Sequence, residues 1–363
     1  MVQPEISKAD LTKLLRNRGV FCASDNKEMT VPILTMTTLS PDEVEGLLDG
    51  YRTKEDNPKT ITRTIPWEDE SKLMEHIPHG ILDDFERELE FANYELATAA
   101  DFVPVDGDDD HVKLEFKVER TDRSKSWTAS KSVYPGTLEF KKVVDGDSVK
   151  IAITYTADET LDVARKATDR VIRHFKQHGQ LQHSATAQRV TFSSFSNSQR
   201  VKFLLSLTAG LASPVLSFQD VNDVAICPDD SCDEFPEPLS WVEQRIRDFR
   251  CKGDALHEAA FLDDADCHDF IQLYLIDASF AFDIKGAVGS CQVCLSFPRF
   301  GSRKDASAEL EIKVLKVKLK SGADGIKPKM LQRMIAEEFQ DQMIKACTAA
   351  RAGADETSGV SAN

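Results

Sequence analysis

The stretch that decides the fold reads LEFKKVVDGDSVKIAITY at residues 138–155 and continues as TADETLDVARKATDRVIRHFKQHG at residues 156–179. Apolar and polar residues alternate on both sides of Asp145-Gly146, which is the pattern of two half-buried strands. Asp-Gly readily adopts the positive φ angles of a tight turn. The stretch therefore predicts a β-hairpin.

A long amphipathic helix is predicted directly after the hairpin. Apolar residues recur at spacings of three and four from Leu161 to Phe175, so one side of the helix would pack on the hairpin. Thr156 and Glu159 are predicted to form a capping box at its start. Gly179 is expected to end it in the left-handed conformation.

Residues 310–347 show the same order of strand, loop and helix, with an apolar stripe from Leu331 to Cys347. A duplicated unit and the ordinary recurrence of strand and helix both explain this order. We predict an α+β protein, with a small N-terminal helical module followed by antiparallel sheet(s) with packed helices. If the duplication is real, two related strand-hairpin-helix units form these sheets and helices. The predicted domains are a helical module at 1–52, α+β domains at 53–182 and 183–348, and a disordered tail at 349–363.

The composition is that of an acidic globular protein. Hydrophobic residues make up 41% of the chain and the formal net charge is −16 at pH 7, so most of the surface repels nucleic-acid phosphates. Apolar runs are too short to span a bilayer, the N-terminus lacks a signal-peptide pattern, and the eight cysteines show no disulfide spacing. We expect a cytoplasmic protein with reduced thiols and no membrane partner.

The N-terminal residues resemble a known family. Asp10-Leu-Thr-Lys-Leu-Leu-Arg-Asn-Arg-Gly-Val20, a short loop and Lys27-Glu28 resemble the SAP-type module, a leucine-rich helix, an extended loop and a second helix. SAP modules commonly bind DNA, and the alternative is a helical cap whose charged side chains are merely solvated. The nucleic-acid contacts that the resemblance implies are Lys8, Lys13, Arg16, Arg18 and Lys27.

Two cysteine pairs are candidate ligands for a zinc ion. Cys227 with Cys232, and Cys291 with Cys294, could together supply the four thiolates of a structural zinc. The second pair lies in strand-like sequence, where residues three apart point to opposite faces. Ordinary buried thiols are the alternative, and we expect no cofactor.

Asp110, Glu115 and Lys117 offer an enzymatic alternative. Glu115 and Lys117 form a Glu-x-Lys triplet on a predicted strand, and this resembles the strand triplet of PD-(D/E)xK nucleases. The resemblance implies that an upstream carboxylate, here Asp110, helps to hold magnesium. Alternating Glu and Lys is also the normal pattern of a solvent-facing strand.

Two functional hypotheses follow from these residues. The first is a non-enzymatic binding protein whose partner is another protein or a protein complex, with DNA as a further candidate through the N-terminal helices. The second is a metal-dependent nuclease or related hydrolase that uses Asp110, Glu115 and Lys117. Walker, Rossmann and His-Glu-x-x-His motifs are absent from the sequence.

Overall fold

The computed structural model describes residues 8–24, 26–36, 38–41, 43–44, 57–83, 85, 93–121, 131–143, 147–232, 235–239, 248–321 and 328–359. The chain divides into two compact units, Met1–Asn57 and Pro58–Asn363. Helices and a large antiparallel sheet confirm the predicted α+β class.

The first unit contains two short helices, α1 (Lys8–Asn17) and α2 (Lys27–Thr35). Leucines at spacings of three and four lie on one side of α1 and bury against α2. Gly19 follows α1 with a φ of +74°, a conformation that suits glycine because it has no Cβ. The small core of this unit consists of Leu11, Leu14, Leu15 and Leu34.

A large antiparallel sheet runs through the described part of Pro58–Asn363. Its strand order is β2-β4-β5-β6-β1-β12-β11-β10-β8-β9, while β3 pairs with β4 and β7 with β1. The strands are β1 (Lys59–Pro66), β2 (Tyr94–Ala99), β3 (Val103–Val105), β4 (Asp108–Thr121), β5 (Lys131–Lys142), β6 (Ser148–Tyr155), β7 (Gln188–Arg189), β8 (Leu216–Pro228), β9 (Phe249–Lys252), β10 (Ile271–Ile284), β11 (Ala287–Ser296) and β12 (Glu311–Ser321).

The predicted hairpin is confirmed as the antiparallel pair β5–β6. Leu138 lies opposite Ile153, and Lys142 lies opposite Val149. The predicted turn at Asp145-Gly146 lies outside the described residues.

Short helices and 3-10 turns connect the strands, and two long helices cover the sheet. The helices are α3 (Leu73–His76), α4 (Asp158–Gln177), α5 (Asn197–Ser206), α6 (Ala260–Asp263), α7 (Pro298–Arg303) and α8 (Pro328–Gly359). The 3-10 turns are Phe192–Ser194, Glu237–Leu239, Leu256–Glu258 and Ala265–Phe270.

The long helix α4 confirms the prediction made for residues 156–179, except at its cap. The predicted capping box of Thr156 and Glu159 is displaced, because the hydroxyl of Thr160 accepts the N–H of Ala157 at 3.1 Å instead. Ala157 is still extended as the chain leaves β6, so the helix begins one residue later. Gly179 follows the helix with a φ of +81°, as predicted.

Two apolar cores lie on opposite faces of the sheet. Ile61 of β1 belongs to the core under α4, whereas its neighbour Thr60 lies directly opposite Ile312. Ile312 belongs to the second core, which also contains Leu331 and Phe339 of α8. Since successive strand residues point to opposite faces, α4 and α8 cover opposite sides of one continuous sheet.

Each core belongs to one of the two predicted α+β ranges. Core residues of the first lie between Ile61 and Leu181, and those of the second between Phe192 and Met343. In the first range β1 pairs with β6. In the second range β7 pairs with β1, and only the N–H of Leu310, just before β12, donates to the carbonyl of Val190, just after β7, at 2.8 Å. The domain boundaries and the duplication stay predictions, because the sheet is continuous across the two ranges.

The last helix is longer than expected. α8 extends to Gly359, so the range predicted as a disordered tail begins inside a helix. None of the helices in the described residues combines the length and apolar character that crossing a membrane requires. The cytoplasmic location stays a prediction.

Candidate functional site

The predicted DNA contacts of the first unit are not equivalent in the structure. Lys13 and Arg16 are exposed on α1. Arg18 is engaged within the unit, because its Nε donates to Glu43 Oε1 at 2.6 Å and its Nη2 to the carbonyl of Thr38 at 2.9 Å. The side chains of Lys8 and Lys27 lie outside the described residues.

Glu43 also forms two hydrogen bonds with Ser40. The N–H of Ser40 donates to Glu43 Oε2 at 2.8 Å, and the N–H of Glu43 donates to Ser40 Oγ at 3.2 Å, which is a capping box. The hydrogen bond from Arg18, together with the Ser40 N–H, lowers the pKa of Glu43 to about 2. Arg18 therefore already has an anionic partner inside the unit.

Apolar side chains are unusually exposed in the same unit. Phe21 is 80% exposed and Met36 is 87% exposed, while Met29 and Val31 on α2 are 46% and 40% exposed. Large side chains of this kind normally lie in cores. Their concentration on a small unit is a feature of interaction surfaces.

The structure does not bring Asp110 together with Glu115 and Lys117. Glu115 and Lys117 are exposed on one face of β4, and Glu115 Oε1 lies 2.7 Å from the ammonium of Lys113. Asp110 accepts the N–H of Leu73 at 3.0 Å and pairs with Lys72 at 2.7 Å. Leu73 is the first residue of α3 and Lys72 precedes it, and Leu73 belongs to the same core as Val112 and Leu114 of β4.

The four candidate zinc ligands are dispersed. Cys291 lies opposite Phe280 in the second core, whereas Cys294 lies opposite Asp277 on the other face of the sheet. Burial raises the pKa of both thiols to about 12 and also raises that of Cys227, so all three favour the neutral form, and Cys232 is half-buried. In the described residues, no set of three or more metal-binding side chains converges.

The sheet instead assembles a polar row that the sequence does not reveal. Register places Lys252 opposite Asp223, Asp223 opposite Asp277, Asp277 opposite Cys294, and Cys294 opposite Lys313. We call these five residues the polar row. It crosses five strands, and it lies on the face opposite the second core, because the neighbours of Asp277 on β10 belong to that core.

Charge compensation within the polar row is uneven. Asp223 forms a two-pronged pair with Arg250 at 2.8 and 2.6 Å and a further ion pair with Lys252 at 3.3 Å. Lys313 is half-buried, and its pKa is lowered by burial and by the nearby charge of Lys59. Arg250 and Lys252 therefore neutralise the carboxylate of Asp223 near one end of the polar row.

Asp277 is the exception in the polar row. It is 4% exposed, and its Oδ1 has no hydrogen-bond partner in the described structure. Burial raises the pKa of Asp277 to about 6, although a hydrogen bond from Gln292 acts to lower it. The nearby carboxylate of Asp223 adds to the rise. A single Asp in the apolar run around Ile276 was the only sequence signal for this group.

Comparisons with known proteins match the N-terminal unit to a family. Residues 1–57 match the family described as GAPS4b protein N-terminal domain, and this range coincides with the first compact unit. No curated protein matches the chain.

Several solved structures give distant matches. The di-domain ARO/CYC StfQ from the steffimycin biosynthetic pathway is 11% identical over 83% of this chain and 99% of that chain, with a TM-score of 0.18. The di-domain ARO/CYC BexL from the BE-7585A biosynthetic pathway is 8% identical over 81% and 97%, with a TM-score of 0.17. TM-scores this low carry no argument about fold or activity.

Proposed function

We propose that this chain is a non-enzymatic interaction protein and that Met1–Asn57 is the unit by which it binds another protein. One observation carries the proposal. Nine large apolar side chains are exposed in the described part of the chain, and five of them lie in this N-terminal unit. Exposed apolar surface concentrated on a small unit favours a protein partner.

Protein is preferred to DNA as the partner for electrostatic reasons. Arg18, the corner residue of the SAP-like motif, is held by Glu43 and the carbonyl of Thr38. The formal net charge of −16 opposes phosphate binding over most of the surface. Lys13 and Arg16 are the exposed cations that would support a DNA interaction.

A binding role is preferred to the nuclease hypothesis because of strand geometry. A metal-dependent nuclease needs its carboxylates and lysine to converge on one metal and one phosphate. Asp110 is bonded to Lys72 and Leu73 at the start of α3, whereas Glu115 and Lys117 are exposed on the other face of β4.

The test compares the full chain with a chain that starts at Pro58, both tagged at the C-terminus and expressed in the native cell. We expect the full chain to retain one stoichiometric protein partner, and the shortened chain to lose it. Quantitative mass spectrometry of the purified complexes measures the ratio. Equal recovery of the partner by both chains would exclude the N-terminal unit as the binding unit.

A parallel measurement addresses DNA and cleavage. Fluorescence anisotropy of a labelled DNA duplex is titrated with both chains at several salt concentrations, and cleavage is assayed with magnesium. We expect no difference between the chains and no cleavage. Salt-dependent binding that is lost on removing residues 1–57, or cleavage that Glu115→Gln abolishes, would support the rival functions instead.

A further inference from the structure

Strand β12 is paired on one side only over most of its length. Towards β11 the ladder runs along the whole strand. Towards β1 the ladder joins only Thr60 to Ile312, and β1 begins at Lys59, directly after a proline, which has no N–H to donate. Residues 313–321 therefore lie at an open edge of the described sheet on that side. We call this side of residues 313–321 the β12 edge.

Backbone groups at the β12 edge keep their capacity for hydrogen bonding. In the part of the chain that the structure describes, no backbone bond outside the β11–β12 ladder involves residues 314–321. An edge strand presents both N–H and C=O groups outward. An added peptide strand satisfies both kinds of group, whereas phosphate oxygens only accept and leave the carbonyls unpaired. The backbone of this edge therefore favours a peptide as its ligand.

One face of the β12 edge is cationic. Lys316 and Lys318 lie opposite Gln292 and Ser290, so their side chains share the face that carries the polar row. Lys320 is also exposed. None of the three lysines forms an ion pair among the described residues, although the chain has 61 acidic residues against 45 Lys and Arg residues. This edge is a local basic surface on an acidic protein.

The other face of the β12 edge is apolar. Val317 and Leu319 are partly buried against the second core. They point away from the lysines, because successive strand residues alternate between the two faces. A strand added at this edge would place its own alternating side chains beside both sets. The edge therefore matches a strand that is acidic on one face and apolar on the other.

The lysines also restrict which partner the β12 edge accepts. A second copy of this edge would bring lysines opposite lysines, which repel each other. Edge lysines thus prevent self-pairing and leave an acidic strand as the favoured one. Nucleic acid fits less well, because the neighbours on the lysine face are Ser290, Gln292 and, opposite Gln292, Ser279. None of these three offers an aromatic ring on which a base could stack.

We propose that the β12 edge binds an extended segment of another protein, in which Asp or Glu alternates with apolar residues. The segment adds as a further strand beside β12, with its carboxylates facing Lys316 and Lys318. This inference goes beyond the proposed function, because the β12 edge belongs to Pro58–Asn363. Peptide binding at this edge is therefore expected to persist when residues 1–57 are removed.

The first experiment titrates a labelled synthetic peptide, in which glutamate and valine alternate over the length of the edge, with the full chain and measures fluorescence anisotropy. We expect saturable binding that weakens as the salt concentration rises. The same peptide with methylated backbone nitrogens keeps the charges but cannot donate hydrogen bonds, and oligothymidylate offers phosphates. Equal or tighter binding of either probe, or no binding of the glutamate peptide, would overturn the inference.

The second experiment reverses the charge of one edge lysine. Lys318→Glu is expected to weaken binding of the glutamate peptide about tenfold, because an opposite-charge pair becomes a like-charge pair. The same variant should bind a peptide with lysine in place of glutamate better than the parent does. Lys202→Glu is the matched control, because Lys202 is also exposed but lies on helix α5. Equal effects of the two variants would show that overall charge governs binding and would refute the edge as the site.

The third experiment locates the contact by amide hydrogen exchange of the full chain with and without the glutamate peptide. We expect exchange to slow in residues 313–321 and to stay unchanged in β2, which ends the strand order on the other side. Slower exchange in β2 alone would contradict the proposed location. The inference also fails if residues 313–321 are already protected without peptide and lose that protection when residues 1–57 are removed, because the chain then covers its own edge.

Discussion

Asp277→Asn is expected to stabilise the protein at neutral pH. The native structure raises the pKa of Asp277 from 3.8 to about 6, and a shift of about two units corresponds to about 3 kcal/mol. Asp277 is only 4% exposed, so solvent screens little of this cost. Asparagine removes the buried charge and keeps the shape of the side chain.

The sign of the pH dependence follows from the direction of the shift. A carboxyl group whose pKa is raised by folding favours the protonated native state. The contribution of Asp277 to the free energy of unfolding is highest below pH about 4, decreases as the pH rises to about 6, and stays at its low, unfavourable value above that pH. The advantage of Asp277→Asn should therefore be present at pH 7 and vanish near pH 4.

The assay is urea unfolding of the full chain at pH 7 and pH 4.5, followed by circular dichroism. We expect Asp277→Asn to raise the free energy of unfolding by about 1–3 kcal/mol at pH 7, the lower value allowing for imperfect hydrogen bonding of the new amide. Asp283→Asn is the matched control at an exposed position on the same strand, where about ±0.5 kcal/mol is expected. A loss of stability at pH 7, or an equal gain at both pH values, would refute the reasoning.

Two further predictions test buried contacts of the sheet by the same unfolding assay. Glu309→Gln should lower the free energy of unfolding by about 3–5 kcal/mol at pH 7, because Glu309 and Arg63 form a buried pair with bonds of 2.8 and 2.9 Å. Burial raises the pKa of Glu309, but the bond from Arg63 and the neighbouring arginines hold that pKa below its usual value. The stability that this pair contributes is therefore lost as the pH falls below about 4.5. A cost under about 1 kcal/mol would show that the pair is not buried as described. Gly136→Ala should cost about 1–3 kcal/mol, since an added Cβ would come within 2.4 Å of Phe116 Cζ; unchanged stability would mean that the ring moves freely.

Local patterns in the sequence correctly predicted the central hairpin and helix. Alternation across residues 138–155 and the helical stripe from Leu161 to Phe175 depend on contacts that each element makes with one core, so periodicity identifies them. The cap was displaced to Thr160 because Ala157 is still extended where the chain leaves β6, so the helix begins one residue later than the residue types predicted. At Gly179 residue type was sufficient, since glycine adopts a positive φ without a Cβ penalty.

Candidate site residues could not be judged from sequence spacing. Asp110 and Glu115 are five residues apart, yet their contacts are on different faces of the sheet. Arg18 matches a basic corner in sequence, but the fold brings Glu43 to it. The exposure of Met29 and Met36 on a helix that also has a buried side emerged only from the packed unit.

What the amino-acid sequence determined by itself was the α+β class, the hairpin and the long helices, because periodicity is a property of neighbouring residues. The tertiary structure alone decided the polar row, in which Asp223, Asp277, Cys294 and Lys313 come from four strands spread over residues 223–313. Strand register sets those neighbours, and register depends on how every strand of the sheet shares its buried face with the others.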